Sequence, residues 1–464
     1  MKALTLLVYL AVAILSINAE LFDESNNPKN FGKYQYKTSE LPSEGEVKLQ
    51  PWSDSYWPSN KAGIAWRWLS NPTNESKSFN YKLHDKEELH KLSLEELSTL
   101  SPAEKFDIYQ GRYDYPTVKS EWKRTGPNDS EWEGLCHGWA PAAAYYKQPS
   151  PTEVKNSDGL IIPFGSSDVK ALLTYYVALY MDEAETSYLG TRCNFDIQGS
   201  QKAKENTTAC RDTNAGAFHV AIANEIGIHK RSFMADTDRS YEVWNQPVST
   251  FNYTILGESI HNSTKNVHVL MDIAWATEIE PEWNAVNTTV EGTQMEYDLE
   301  LDNQGNIIGG AYRTYERMDF LWNMKILSFA GYFKKLDELY QSSIGGSTNE
   351  NAPDRIMFGQ VNDVKNMNQD VGKFGINGYK SGFVQNWYIQ STKNRIRLTF
   401  NVNTNKQWDT IKVYEHVDGA LLRVLYGRKN KEELIVNAKS AHVVFSSKRE
   451  HLDGGFEAYY ESIV

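Results

Sequence analysis

Three cysteines in 464 residues, set behind an export signal, restrict this chain more than any other feature. Met1-Lys2, an apolar run from Leu4 to Leu15 and the small-residue end Ser16-Ile17-Asn18-Ala19 give residues 1–19 the form of a secretory signal peptide. In an oxidising compartment thiols that can pair do so, and an odd count leaves one over. Cys193 and Cys210 bracket a polar loop and are expected to form a disulfide, worth about 3 kcal/mol by loop closure. Cys136 is then the free thiol. With one staple at most, the fold must rest on buried apolar cores, and a chain of this length is expected to build two or three domains.

Cys136 lies in Glu131-Trp-Glu-Gly-Leu-Cys-His-Gly-Trp-Ala140, where a glycine and a small apolar lead-in deliver it to the start of a helix running to Tyr146. Unpaired amides at a helix start favour an anion, so a thiol there is expected to ionise more easily. A buried, inert cysteine at a strand–helix junction is the alternative reading. A nucleophilic thiol also needs a group that moves protons near neutral pH, and histidine suits that task. His137, next in sequence, points about 100° away on a helix. His84 and His90 fall in a charged helical run. His219, in the apolar run Ala217–Asn224, reads as lying on a buried strand. With a turn near His229, the return strand brings Asp236 or Asp238 opposite His219, where a carboxylate would orient the imidazole. Cysteine at a helix start, histidine on a later strand and an acid on the next is the papain-type order. Asp236, 17 residues after His219, fits that spacing better than Asp238, the alternative.

Elsewhere, Ser93-Leu-Glu-Glu96 and Ser101-Pro-Ala-Glu104 are capping boxes that open helices. Residues 20–130 read as an irregular and helical N-terminal region, its first 40 residues polar and wrapped over the surface. Val169–Tyr180 is helical, its stripe Tyr175, Tyr176 and Tyr180 belonging to a core. Two hairpin-like pieces follow, 268–278 and 295–313, the second turning at Asp302-Asn-Gln-Gly-Asn306. Residues 318–340 read as mainly helical, and 342–365 as a Ser/Gly/Asn-rich linker. From 366 to 464 short alternating strands give a β-sandwich pattern. The class is α+β: a core over 131–341 followed by a sandwich.

The formal net charge of −12 argues against nucleic acid and against a polybasic membrane anchor. Beyond the signal, no stretch approaches the roughly 20 apolar residues of a bilayer span. Sequons at Asn74, Asn128, Asn206, Asn252, Asn262 and Asn287 fit an exported glycoprotein, secreted or lumenal.

Gly134-Leu-Cys-His-Gly-Trp-Ala-Pro-Ala142, Asn214-Ala-Gly-Ala-Phe-His219 and, most specifically, Val243-Trp-Asn-Gln-Pro-Val248 resemble the transglutaminase elicitor family of oomycetes over roughly residues 90–325. Leu100–Asp107, Gly111–Tyr115, Asp302–Tyr312 and Asp319–Trp322 extend the likeness. Gly309-Gly-Ala-Tyr312 departs from the Gly-Gly-Glu-Trp expected there. The resemblance implies a papain-like core that joins protein glutamine to lysine through a Cys136 thioester, with His219 as acid–base and Asp236 holding it. It also implies calcium dependence, although the chemistry itself needs no cofactor. The backbone amide of Cys136 is the first oxyanion donor. Asn128, Ser130 and Trp132 are candidates for the second, since no glutamine closely precedes Cys136. The C-terminal region resembles a CUB domain through Trp387-Tyr-Ile389, Trp408–Tyr414, Val444–Ser447 and Gly454–Tyr459, without its usual cysteines. Asp409 matches one CUB calcium ligand, but Lys448 stands where an acid or amide is expected. A glycan or matrix partner for this region follows from the same likeness. Rival readings are a cysteine peptidase or deamidase, in which water takes the thioester, and an inactive adhesion or recognition protein.

Overall fold

Helices begin where side chains satisfy their open amides. The computed structural model describes residues 20–68, 78–181, 186–191, 212–240, 242–261, 264–326, 328–345, 364–379, 383–405, 409–416, 419–447 and 451–464. Both expected capping boxes form with reciprocal hydrogen bonds, and Asp85 with Glu88 makes a third. Pro102 opens the helix Pro102–Gln110 and Gly111 closes it in the left-handed region. The expected Tyr stripe is core: Tyr175, Tyr176 and Tyr180 on the helix Ser166–Tyr180 pack around Phe333. The first 40 residues of the mature chain do more than wrap the surface, since Trp52 and Trp57 are fully buried.

The strands are β1 (Glu20–Leu21), β2 (Glu44–Glu46), β3 (Thr152–Lys155), β4 (Ile161–Phe164), β5 (Thr186–Gly190), β6 (Phe233–Asp236), β7 (Asn245–His261), β8 (Thr264–Ala276), β9 (Val290–Leu301), β10 (Ile307–Tyr312) and β11 (Phe320–Met324). A nine-stranded sheet runs β1-β10-β9-β8-β7-β6-β11-β5, with β2 on β7, and every pairing in it is antiparallel. The Asp302–Asn306 turn forms as expected, with Gly305 at φ +83 and Asp302 Oδ1 accepting from the amides of Gln304 and Asn306. The piece expected over 268–278 belongs instead to β8, which pairs with β7 along nearly its whole length.

Two expectations fail. The run 217–224 is not a strand but the helix Ala215–Ile222, continued by a wide turn to Ile228. Asn214 caps it, accepting from the amides of Gly216 and Ala217, and a short apolar run has no period to separate helix from strand. Gly216 lets the helix touch the sheet: a Cβ there would lie 2.2 Å from the Gly309 carbonyl oxygen. Residues 318–340 are not mainly helical, because Phe320–Met324 is β11, a central strand between β6 and β5. Only Leu336–Ser343 and a short turn at Gly331–Phe333 are helical there.

The sandwich has a five-stranded sheet, β12-β14-β19-β16-β17, facing a four-stranded sheet, β13-β20-β15-β18. These strands are β12 (Val364–Met367), β13 (Val371–Tyr379), β14 (Val384–Gln390), β15 (Arg395–Asn403), β16 (Asp409–Tyr414), β17 (Leu421–Leu425), β18 (Arg428–Val436), β19 (Ser440–Ser447) and β20 (His451–Ile463). Trp387, Phe400, Phe445 and Phe456 fill the space between them. Most of the linker, residues 346–363, lies outside the described residues.

Candidate active site

Cys136 is the first residue of a helix, Cys136–Tyr145, whose cap residue Leu135 offers no side-chain acceptor to the open amides. The helix lies close against Ser166–Tyr180 because a Cβ on Gly138 would sit 2.3 Å from the Thr174 carbonyl oxygen. Cys136 is a free thiol, 5% exposed. Its Sγ donates to the Val243 carbonyl at 3.4 Å and receives the Asn245 Nδ2 amide at 3.5 Å. Asn245 cannot swing away, since Trp322 Nε1 donates to its Oδ1 at 2.6 Å. The Val243–Val248 run, noted in the sequence for its family likeness alone, therefore lines the thiol. That position depends on β6 pairing Asp236 with Asn245, a register the sequence does not display.

The electrostatics reverse the expectation of a depressed thiol. Burial pushes the Cys136 thiol up to about 11, the side chain and backbone amide of Asn245 pull it back, and the charges of Glu278 and Asp236 push it up further. The resting thiol is protonated at neutral pH. Glu278, half-buried at the end of β8, accepts from Gln246 Nε2 at 2.7 Å, while its Oε1 has no hydrogen-bond partner. Burial raises its carboxyl above the usual range. Tyr56 and Trp244 meet edge to face beside the thiol, ring centres 5.3 Å apart. Burial, then Glu278 and Cys136, push the Tyr56 hydroxyl up to about 12.

His219 is elsewhere. Its Nδ1 lies 2.8 Å from the Tyr297 hydroxyl, its ring is 4.6 Å from that of Tyr253, and its Nε2 is buried without a partner. Tyr253 stands eight residues along β7 from Asn245, roughly 26 Å at the rise of a strand. The expected union of Cys136, His219 and Asp236 does not form, because a helical His219 has no opposite strand. Asp236 is buried and shares the thiol's surroundings, but its Oδ1 organises the β6–β7 turn by accepting from the Trp244 and Asp238 amides. Asp238, the alternative, accepts from the Ser240 amide in the same turn.

Burial alone holds the His219 imidazolium down at about 3. A folded value below the unfolded one of about 6.5 means that unfolded chains take the proton first as pH falls. The contribution is therefore complete above pH 6.5 and drains away toward pH 3. Between pH 7 and 5 it costs about 2 kcal/mol. His219→Leu is expected to lose that much less stability over this interval by urea unfolding; equal losses in both proteins would show that His219 does not titrate on unfolding.

Of the second oxyanion candidates, Asn128 is exposed at the surface, and the amide on the sulfur is that of Asn245. Cys193 and Cys210, with the bridge expected between them, lie outside the described residues, as do the signal segment, Lys448 and sequons Asn74, Asn206 and Asn262. Asn128, Asn252 and Asn287 are exposed. Asp409 is buried, its Oδ2 accepting from the Tyr379 hydroxyl and the Asn405 amide. Among the described residues no three His, Cys, Asp or Glu side chains group as metal ligands.

Residues 29–272 match the family model described as "Transglutaminase elicitor", more than half of the chain. Among solved structures, the GP42 transglutaminase from Phytophthora sojae aligns at a TM-score of 0.51, with 20% identity, over 70% of this chain and 100% of its own. The CUB1-EGF-CUB2 domains of rat MASP-1 align at 20% identity over 22% of this chain and 42% of theirs, with a TM-score of 0.20. No curated protein matches. The chain belongs to the transglutaminase elicitor family.

Proposed function

We propose that the protein is an exported thiol acyltransferase that joins glutamine side chains of one protein to lysines of another through a thioester on Cys136. One observation carries this reading: a free cysteine at a helix start with the backbone and side-chain amides of Asn245 directed at its sulfur. The Cys136 sulfur attacks the glutamine amide carbon, and the oxyanion is received by the Cys136 backbone amide and Asn245 Nδ2. Collapse expels ammonia and leaves the thioester. A lysine amine then attacks the same carbon, forms the isopeptide bond and returns the thiol.

A proton must leave the thiol and reach the departing ammonia. With His219 remote, we assign this to Glu278, the acid whose charge bears most on Cys136 and whose carboxyl burial raises above its ordinary value. Asp236 keeps its place beside the thiol by holding the β6–β7 turn. The helix-start cysteine against an antiparallel sheet is what a papain-like core supplies; the histidine is not where that core would hold it. No step passes through a metal.

Incubation with a glutamine-donor protein and a labelled amine tests the reading. Label on the donor supports transfer, whereas conversion of donor glutamine to glutamate residues, or peptide fragments, without label gives the hydrolytic alternative. Glu278→Gln is expected to lower incorporation about 10²-fold and to remove the acid limb of the pH profile; an unchanged profile excludes Glu278. A second reading, a recognition protein that keeps the fold without the chemistry, is favoured by the protonated, 95% covered thiol and by the distance of His219 from it. We further propose that the sandwich attaches the enzyme to glycan or matrix after export. Among the described residues no helix is long and apolar enough to cross a membrane.

A further inference from the structure

The outer face of the four-stranded sheet carries a cleft of about 1120 Å³ that the thiol chemistry does not use. Its floor is backbone. Gly375 stands opposite Glu457, and Gly455 opposite Asn377 and Asn403; a Cβ on Gly375 would lie 2.2 Å from the Phe456 carbonyl oxygen. Phe374 and Phe456 belong to the sandwich core. Four cations line the cleft (Lys373, Arg428, Lys429 and Lys431) against two carboxylates, Asp453 and Glu457. In a chain of formal net charge −12 this is a local reversal of sign. Lys373 reaches Glu457 at 3.6 Å and Arg428 Nε donates to Asn403 at 3.3 Å, while Lys429 and Lys431 project into solvent.

Between the cations stand the amides of Asn377, Asn401, Asn403 and Asn430. Asn401 and Asn403 are oriented, Asn401 Oδ1 accepting from the Lys431 amide and Asn403 Nδ2 donating to the Asp453 carbonyl. In the next row Tyr459, 45% exposed, pairs across the sheet with Lys373 and Thr399 and donates its hydroxyl to Glu457. An exposed ring, side-chain amides offering donor and acceptor together, and spaced cations suit a ligand with ring faces, hydroxyls and carboxylates. Interleaved acids suit a membrane poorly, since anionic lipid selects uninterrupted polybasic clusters. We propose that this cleft binds an extended uronic-acid polysaccharide. The inference rests on the attachment role proposed for the sandwich and is independent of Cys136.

Electrophoresis of the full chain through gels containing polygalacturonate, or a neutral β-glucan, tests it. Retardation by polygalacturonate is expected, diminishing with salt. Lys429→Glu/Lys431→Glu should weaken it at least tenfold, and Tyr459→Ala by a similar factor, with thermal melting confirming that each variant folds. Should the double reversal fail to fold, Lys431→Gln and Tyr459→Ala carry the same test. Retardation that survives these changes overturns the site, as does equal capture by phosphatidylserine vesicles or single-stranded DNA. Binding to neutral glucan alone overturns the uronate cleft and leaves the attachment role. Binding to neither polymer removes both.

Discussion

Cys136→Ala is expected to reduce amine incorporation by about 10⁴-fold or more while leaving the fold intact, because the sulfur is the atom that carries the acyl group. The thiol is the lone free cysteine among the described residues. Its loss removes one small buried side chain from a helix start whose packing depends on Gly138 and Trp139 rather than on sulfur. Asn245→Ala separates nucleophile from oxyanion site. It keeps Cys136 and removes the amide at 3.5 Å, for an expected loss of about 10²–10³-fold, the usual cost of one oxyanion donor. Because Trp322 fixes the Asn245 carboxamide, Trp322→Phe should give a partial loss of the same kind. Asn245→Ala activity within threefold of wild type would remove Asn245 from the chemistry. Both variants are read by labelled-amine incorporation at saturating donor.

The largest stability effect is expected at Lys105. Lys105 Nζ meets Asp168 Oδ2 at 2.6 Å with both side chains fully buried. Burial pulls the ammonium down and the carboxyl up, and their mutual attraction opposes both. Asp168 also accepts from the Gly165 amide at 2.7 Å and from Trp68 Nε1 at 3.0 Å, so it caps the helix Ser166–Tyr180. Lys105→Met keeps the aliphatic volume and strands a carboxylate in the core, at an expected cost of about 3–5 kcal/mol by urea unfolding at pH 7. A cost below about 1 kcal/mol would mean that Asp168 relaxes to solvent. Since that helix seats the Cys136 helix through Gly138, lost activity in this variant should follow the unfolded fraction and leave KM unchanged.

Local chemistry was legible in the sequence where it acts within a few residues. The capping boxes at Ser93 and Ser101, the Asp302 turn and the alternation of the sandwich strands each need only neighbours in the chain, and each forms. Cys136 at a helix start was legible for the same reason. The helix at His219 is not, because eight buried residues show neither period, and a single polar cap, Asn214, decides the matter. The error spread: one wrong element created a hairpin, and the hairpin brought Asp236 to His219. Phe320–Met324 was missed because a central strand buried on both faces does not alternate. Asn245 touches the thiol, and Glu278 and Tyr56 act on it electrostatically, only through sheet register and long-range packing, which no local pattern carries.

The ionisation of Cys136 was also beyond the sequence. A helix start favours the thiolate, yet full burial beside Glu278 and Asp236 outweighs it. A protonated resting thiol fits an enzyme that forms its nucleophile only when a glutamine side chain occupies the site, and it equally fits a chain that has lost the chemistry. The two part at the thioester. Mass spectrometry of the intact protein, quenched in acid after brief exposure to a glutamine-donor peptide without amine, measures it directly. An adduct equal to the peptide minus ammonia is expected, mapped to Cys136, discharged by lysine analogues and absent in Cys136→Ala. An unmodified Cys136 under conditions where the peptide is shown to bind would contradict it.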